Sequence, residues 1–589
     1  MAPDATGKAI VVFSDGTGNS AAKMAKTNVW RLYQALDLSK PTKEGDIQQL
    51  AFYDDGVGTS SFKPLALLGG VLGWGLKRNV LDLYTFLCRN YRPGDRIYAF
   101  GFSRGAFTVR VLVGLVTHQG LLLRSNEQEL AYGARDAYRA YRRRFNQTGG
   151  LVTVLRYLRD RLLTGWRRLR RQRTYQDIPK HIPETIAFVG VWDTVAAYGM
   201  PIAELTRGID KWVWPLSMPN YILSDKVEKA CHGLALDDER DTFHPLLWDE
   251  VEEDRLVKGG KVAADRLQQV WFAGMHSDVG GGYANGSLAY VPLKWMMDQA
   301  ASAGLRFWSE EVAEVKRRLD PAGPIHNSRR GIAGYYRYQP RKLGARIDPP
   351  DPITLIMQNP DLQHGLLTSV KIHESVIHRI RSGPDRYSPI VLPRDYRVVC
   401  SDLTVKNCPE TLPQERTDGQ EWVWNDVWKR RISYFATVAI SLLLLLLPWI
   451  GDKTPVEACE GPECLLVPII SAAGELLPEF LQLWISSFER NPGLFAMAIA
   501  GIILLRLGSG NLQRRIHDRM YKLWQRSLNP AAGPAATNGL PADRIFRLRT
   551  SQVYLKTFQA LKWRIAPTAF GLMVLVLIPL LVFVVAVGV

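Results

Sequence analysis

From Ile432 to Ile450 the chain reads "ISYFATVAISLLLLLLPWI", a run without a single charge. As a helix it would be about 28 Å long, close to the hydrocarbon thickness of a bilayer. Lipid admits such a run only as a helix, because a lone strand would leave its backbone groups unpaired. The run therefore divides the chain. Residues 1–415 read as a globular domain of mixed pattern, and residues 416–589 as an α-helical transmembrane region. Within the latter, spans are expected at about 432–450, 492–507 and 566–589, the middle one weaker because it is short. The segment between the first two spans carries Glu475, Glu479 and two prolines, and reads as interfacial or packed.

Charge orients this region. The formal net charge is +17. Lys429, Arg430 and Arg431 precede the first span, and basic residues again dominate from Gly508 to Arg564, whereas the loop from Asp452 to Asn491 is acidic. Positive loops stay cytoplasmic. The expectation is a multi-pass protein of the cytoplasmic (inner) membrane, with its globular domain on the cytoplasmic side and its C-terminus outside. "MAPDATGKAIVVF" lacks the pattern of a secretory signal, in keeping with that placement. "CEGPEC" would then lie outside, where a disulfide between Cys459 and Cys464 can persist. No zinc finger, RNA-binding aromatic signature or basic zipper accompanies the arginines. Membrane lipids, acidic phospholipids above all, are the expected partners, and nucleic acid is not.

In the first part, "KAIVVFSDGTGNS", "QQLAFYDDGVGTS", "RIYAF", "TIAFVGVWDTV" and "LQQVWFAGMHSDVGGGY" are apolar runs that stop at polar, glycine-rich loops. Helical spacing separates several of them. The pattern predicts an α/β fold, a mainly parallel sheet covered on both faces, with sites at the carboxyl ends of its strands. Helical cap insertions are expected at about 120–180 and 200–265. In the first, Leu151, Leu155, Leu158, Leu162, Trp166 and Leu169 recur at helical steps among arginines. The stripe suits either a membrane interface or a cap packed on the sheet.

Gly101-Phe102-Ser103-Arg104-Gly105 has the spacing of a nucleophile elbow, in which a strained strand-to-helix turn lifts a serine above the sheet. A structural glycine turn has the same spacing. A nucleophilic serine needs a base, and the base an orienting acid. Asp193 and His276 follow in the order serine, acid, histidine, each at the exit of a predicted strand. Asp278 competes for the role of acid. The backbone N–H of Arg104, with that of Asp15 or Gly16 after the first strand, would form the oxyanion hole. The Asp15 side chain with Asp54 or Asp55 could hold a metal, calcium being left open, but their spacing matches no calcium loop and favours a structural turn; the chemistry requires no cofactor. In "HESVIH" the histidines are five apart, where a zinc-protease helix needs four; "GTGNS" lacks the rest of a P-loop.

"VVFSDGTGNS", "FYDDGVGT", "GFSRGAFTVR", "GVWDTVAAYG", "HGLALDDERDTFHPLLW" and "QVWFAGMHSDVGGGY" together resemble the α/β-hydrolase domain family that includes the type VI secretion phospholipase effectors. The resemblance implies an esterase-type fold, a Ser103, Asp193, His276 triad, and lipid esters as substrates. The membrane region is not part of the shared domain. A membrane-anchored serine hydrolase of phospholipase type is the leading expectation. A secreted antibacterial lipase toxin and a non-catalytic membrane scaffold or sensor are the alternatives.

Overall fold

Among the described residues nine strands build the main sheet: β1 (Ala9–Ser14), β2 (Gln49–Asp54), β3 (Arg96–Phe102), β4 (Phe188–Trp192), β5 (Ala230–Ala235), β6 (Leu267–Phe272), β7 (Val370–His373), β8 (Tyr396–Val399) and β9 (Val405–Asn407). Their order is β9-β8-β7-β6-β5-β4-β3-β1-β2, and each neighbouring pair is parallel except β8 with β9. The computed structural model describes residues 7–16, 25–41, 46–56, 75–123, 126–145, 151–170, 173–196, 220–341, 365–451, 461–529 and 540–561, with a few single positions besides.

Burial explains why these runs become central strands. All six residues of β1 are buried. Ile10 and Val12 join the core on one face, while Ala9, Val11 and Phe13 join the core on the other. That is the two-residue period of a strand covered on both sides. Helices α1 (Asn28–Ala35), α2 (Leu76–Asn90), α3 (Arg104–Gln119), α4 (Glu127–Phe145), α5 (Leu151–Leu169), α6 (Glu250–Lys258), α7 (His276–Gly280), α8 (Tyr290–Ser302), α9 (Ser309–Arg318) and α10 (Glu374–Ser382) connect or cover the strands. α2, α3 and α4 line the first core; α1, α8 and α9 line the second. From β1 the chain passes first to β2 on one side and then to β3 on the other. This reversal opens a crevice at the carboxyl ends of β1 and β3, where doubly wound sheets hold ligands.

α4 and α5 occupy the first expected insertion. The second, 200–265, is corrected by the sheet, because β5 lies within it and fills the gap between β4 and β6. Its sequence, "ACHGLA", is buried at every position. Burial on both faces removes alternation, and a buried histidine and glycine disguise what remains. The described part of the α5 stripe is not packed on the sheet: Leu158, Leu162, Trp166 and Leu169 are 50%, 74%, 55% and 79% exposed.

Beyond the sheet lie α11 (Pro413–Ile450), α12 (Val467–Glu475), α13 (Gln482–Arg490), α14 (Pro492–Leu528), α15 (Arg544–Thr550) and α16 (Gln552–Ala560). α11 and α14 form an antiparallel hairpin, tied by Arg519 to Asp426 at 2.8 Å, Arg430 to Gln513 at 3.0 Å and Ser433 to the Leu505 carbonyl at 3.0 Å. Its proximal half, with Val423, Val427, Ile516, Met520 and Trp524, packs into a third core with β7, β8 and α10. Its distal half exposes Leu442, Leu446, Trp449, Met497, Ile503 and Leu504. Both helices are long and apolar enough to cross a membrane by length and composition. They contain the expected spans 432–450 and 492–507, whereas 566–589 lies outside the described residues. Cys464 is disulfide-bonded, and Cys459 also lies outside the described residues. Cys88, Cys231, Cys400 and Cys408 are free.

Candidate active site

β3 ends at Phe102 and α3 begins at Arg104, so Ser103 must reverse the chain alone. It does so with φ 59° and ψ −123°, a conformation that costs a non-glycine residue strain. The flanking glycines have a steric reason. A Cβ on Gly101 would lie 2.6 Å from the Gly105 carbonyl oxygen, and one on Gly105 only 2.0 Å from that of Ser14. The turn is thus pressed against β1, and its serine stands at the crevice between β1 and β3.

His276 opens α7 just beyond β6, and Asp193 follows β4 with φ 37°. The Ser103 Oγ lies 2.8 Å from His276 Nε2, and His276 Nδ1 lies 2.5 Å from Asp193 Oδ2. The Phe102 and Phe243 rings hold the imidazole, with centroids 4.6 and 5.1 Å away. Burial pushes the imidazole below its ordinary value, against the opposing pull of Asp193, so the ring is neutral near neutral pH and can accept a proton.

Asp193 is clamped by a residue that sequence reasoning missed. Arg341 Nη1 donates to Oδ1 at 2.7 Å and Nη2 to Oδ2 at 2.8 Å, and the Ala235 N–H adds a third bond at 3.0 Å. Burial alone would push this carboxyl up; Arg341 and His276 outweigh it and hold it well below the usual carboxylate range. Arg341 itself is anchored on the carbonyls of Ala235 and Phe243. Among the described residues no strand ends near it in sequence, and nothing in the apolar pattern marked it. Asp238 and Arg240 belong to the same shell. Asp238 accepts from the His276 N–H at 3.2 Å and is paired with Arg240 at 2.7 Å.

The other candidates fall elsewhere. Asp278 accepts from His326 Nδ1 at 2.6 Å and from the Met275 N–H at 2.9 Å, so it ties the loop together rather than orienting His276. The Asp15 N–H donates to the Asp54 carbonyl at 3.2 Å, and the Gly16 N–H to the Asp15 carboxylate at 2.6 Å. Either would have to release that acceptor to serve an oxyanion. The Arg104 N–H lies in the first turn of α3, where backbone donors have no acceptor in the helix. The Asp15 carboxyl, raised by burial, also accepts from Thr27 at 2.5 Å and Tyr53 at 2.6 Å, a structural knot beneath the loop. Among the described residues, no group of three or more His, Cys, Asp or Glu side chains is placed to hold a metal ion.

A stretch of 137 residues is 34% identical to an uncharacterized protein, YEL023C, of Saccharomyces cerevisiae, covering 21% of this chain and 19% of that one. A crystal structure of an uncharacterized protein from Pseudomonas aeruginosa is similar at a TM-score of 0.29 and 16% identity, over 54% of this chain and 50% of the other. The chain thus spans half or less of either relative. The model of the family described as "T6SS, Phospholipase effector Tle1-like, catalytic domain" matches residues 8–299, a stretch that includes Ser103, Asp193 and His276. Over residues 8–299, then, this chain is similar to the T6SS Tle1-like phospholipase effector catalytic domain family.

Proposed function

We propose that the protein is a membrane-seated serine hydrolase that cleaves carboxylic ester bonds of phospholipids. The observation that carries this reading is the continuous hydrogen-bonded row from Ser103 through His276 to Asp193. Ser103 Oγ attacks the acyl carbonyl and passes its proton to His276 Nε2, while Asp193 steadies the imidazolium through Nδ1. The oxyanion is received by the Arg104 N–H and a second donor from the Asp15–Gly16 turn, each worth about 3 kcal/mol. His276 returns the proton to the departing alcohol. Water then enters by the same base and frees the acid, restoring Ser103.

The exposed distal half of the α11–α14 hairpin supports a membrane seat, and so does α5, whose open leucines stand among arginines. After α14 the chain returns to the hairpin: Arg549 donates to Asn425 at 2.6 Å, and Tyr554 meets Trp428 edge-on at 5.8 Å. The expected third span, 566–589, would leave from this level, in accord with a cytoplasmic hydrolase domain and an outer C-terminus.

A fluorophosphonate probe tests the reading. Wild type should be labelled and Ser103→Ala should not; an unlabelled wild type, under conditions that label other serine hydrolases, would sink it. The family matched over residues 8–299 favours a second reading, a secreted antibacterial effector. That reading requires toxicity when the protein is directed to the periplasm of a sensitive bacterium, and Ser103→Ala should remove it.

A further inference from the structure

Several buried arginines in this protein are paired with carboxylates. Arg266 meets Glu253 at 2.5 Å, Arg341 meets Asp193 at 2.7 Å, and Arg416 meets Glu410 at 2.7 Å. Among the described residues three buried arginines have no ion pair: Arg110, which donates to the Leu246 and Leu247 carbonyls, Arg431, and Arg104 at the elbow. Its residue is 9% exposed, its Nη1 is buried with no hydrogen-bond partner, and no ion pair reaches its guanidinium among the described residues. The ionisable group that faces it is Tyr336, whose ring meets Phe243 edge-on at 5.6 Å, and Phe243 in turn packs on His276. Through Tyr336 and Phe243 the guanidinium is linked to the aromatic wall around His276.

Its position compounds the imbalance. Arg104 is the first residue of α3, a helix of 16 residues, where the helix dipole and free N–H groups already favour negative charge. A guanidinium buried there without a carboxylate is unfavourable unless an anion joins it. Among the described residues no carboxylate joins it, which leaves the place open to an anion from outside. A glycerophospholipid carries a phosphate diester only a few bonds from the carbonyls that Ser103 would attack, and a guanidinium matches that group through paired N–H donors.

We infer that the Arg104 side chain is the specificity residue of the site, binding the phosphate of a phospholipid while its ester lies over Ser103. The inference rests on the proposed ester hydrolysis. It distinguishes this site from one for neutral glycerides, for which a buried, unpaired cation would be a burden.

The test uses the full-length protein in mixed micelles, with a dioctanoyl phospholipid and dioctanoylglycerol as substrates of the same acyl length. Wild type should prefer the phospholipid in kcat/KM. Arg104→Gln should reduce that preference by about tenfold to a hundredfold, the size of a charge-assisted contact. Arg104→Lys should restore part of it, chiefly through KM. Equal loss on both substrates, or an unaltered preference, would overturn the inference. Should both variants fail to fold, wild type still decides: glycerol 3-phosphate should inhibit dioctanoylglycerol cleavage competitively, and absence of inhibition counts against Arg104. Inorganic phosphate in parallel separates recognition of a bare phosphate from that of an esterified one. Failure of the hydrolase reading looks different, since wild type would then cleave neither substrate faster than Ser103→Ala.

Discussion

The α-carbon of Gly105 passes so close to Ser14 that a Cβ placed on it would lie 2.0 Å from the Ser14 carbonyl oxygen. The atom in the way is backbone, which no rotamer can move. Gly105→Ala should therefore push α3 away from β1 and cost about 3 kcal/mol or more. A thermal melt should show the loss, and an unchanged midpoint would mean that the elbow is looser than these distances state.

Ser103 stores strain of a different kind. With φ 59° it occupies backbone space that glycine enters freely. Ser103→Gly should raise stability by roughly 1 kcal/mol while abolishing ester cleavage, the trade expected where a site holds strain for function. Lower stability together with lost activity would contradict this.

The Arg341 clamp makes a prediction in pH. Burial lowers His276 below its ordinary value, so the acid limb of kcat/KM should lie below about pH 6.5 in wild type. Without Arg341 the Asp193–His276 pair becomes more negative and binds a proton more readily. Arg341→Gln should then raise the acid limb by about one pH unit and lower kcat, whereas Arg341→Lys keeps the charge and loses only the fork. An acid limb that stays in place in Arg341→Gln would confine the clamp to a structural role.

The open leucines of α5 can be tested in place. In full-length protein reconstituted into anionic liposomes, a nitroxide at position 162 or 169 should be quenched by oxygen dissolved in lipid and shielded from a polar nickel reagent. The contrast should weaken in neutral lipid, because arginines supply part of the attraction. Quenching by the polar reagent alone would place α5 in water.

What could be read from the sequence, and what could not, follows from range. Ser103, Asp193 and His276 each close an apolar run, so strand periodicity and loop chemistry pointed to them together. Asp278 looked equivalent to Asp193 in sequence, and only the register of β4 beside β5 decides which carboxylate meets His276. β5 was hidden because a strand buried on both faces has no alternation to show. Arg341 was hidden more deeply, since its partner lies 148 residues away and its own surroundings carry no pattern. In the helical region, the apolar runs were evident, but not that each is the distal half of a longer helix whose proximal half belongs to the hydrolase core. Val423, Val427, Met520 and Trp524 sit among charged residues, which made those turns look like solvated flanks.

Each of those helices passes from the third core into its exposed apolar half as one uninterrupted element. An enzyme on a flexible tether samples every tilt above a membrane, and most of its encounters with the surface are wasted. Two packed helices allow no such tumbling. If their distal halves lie in lipid, the mouth of the site keeps a fixed height and bearing over the bilayer, and substrate arrives only by lateral diffusion. Catalysis would then depend on how many lipids pass one spot per second, a property of membrane fluidity as much as of the protein.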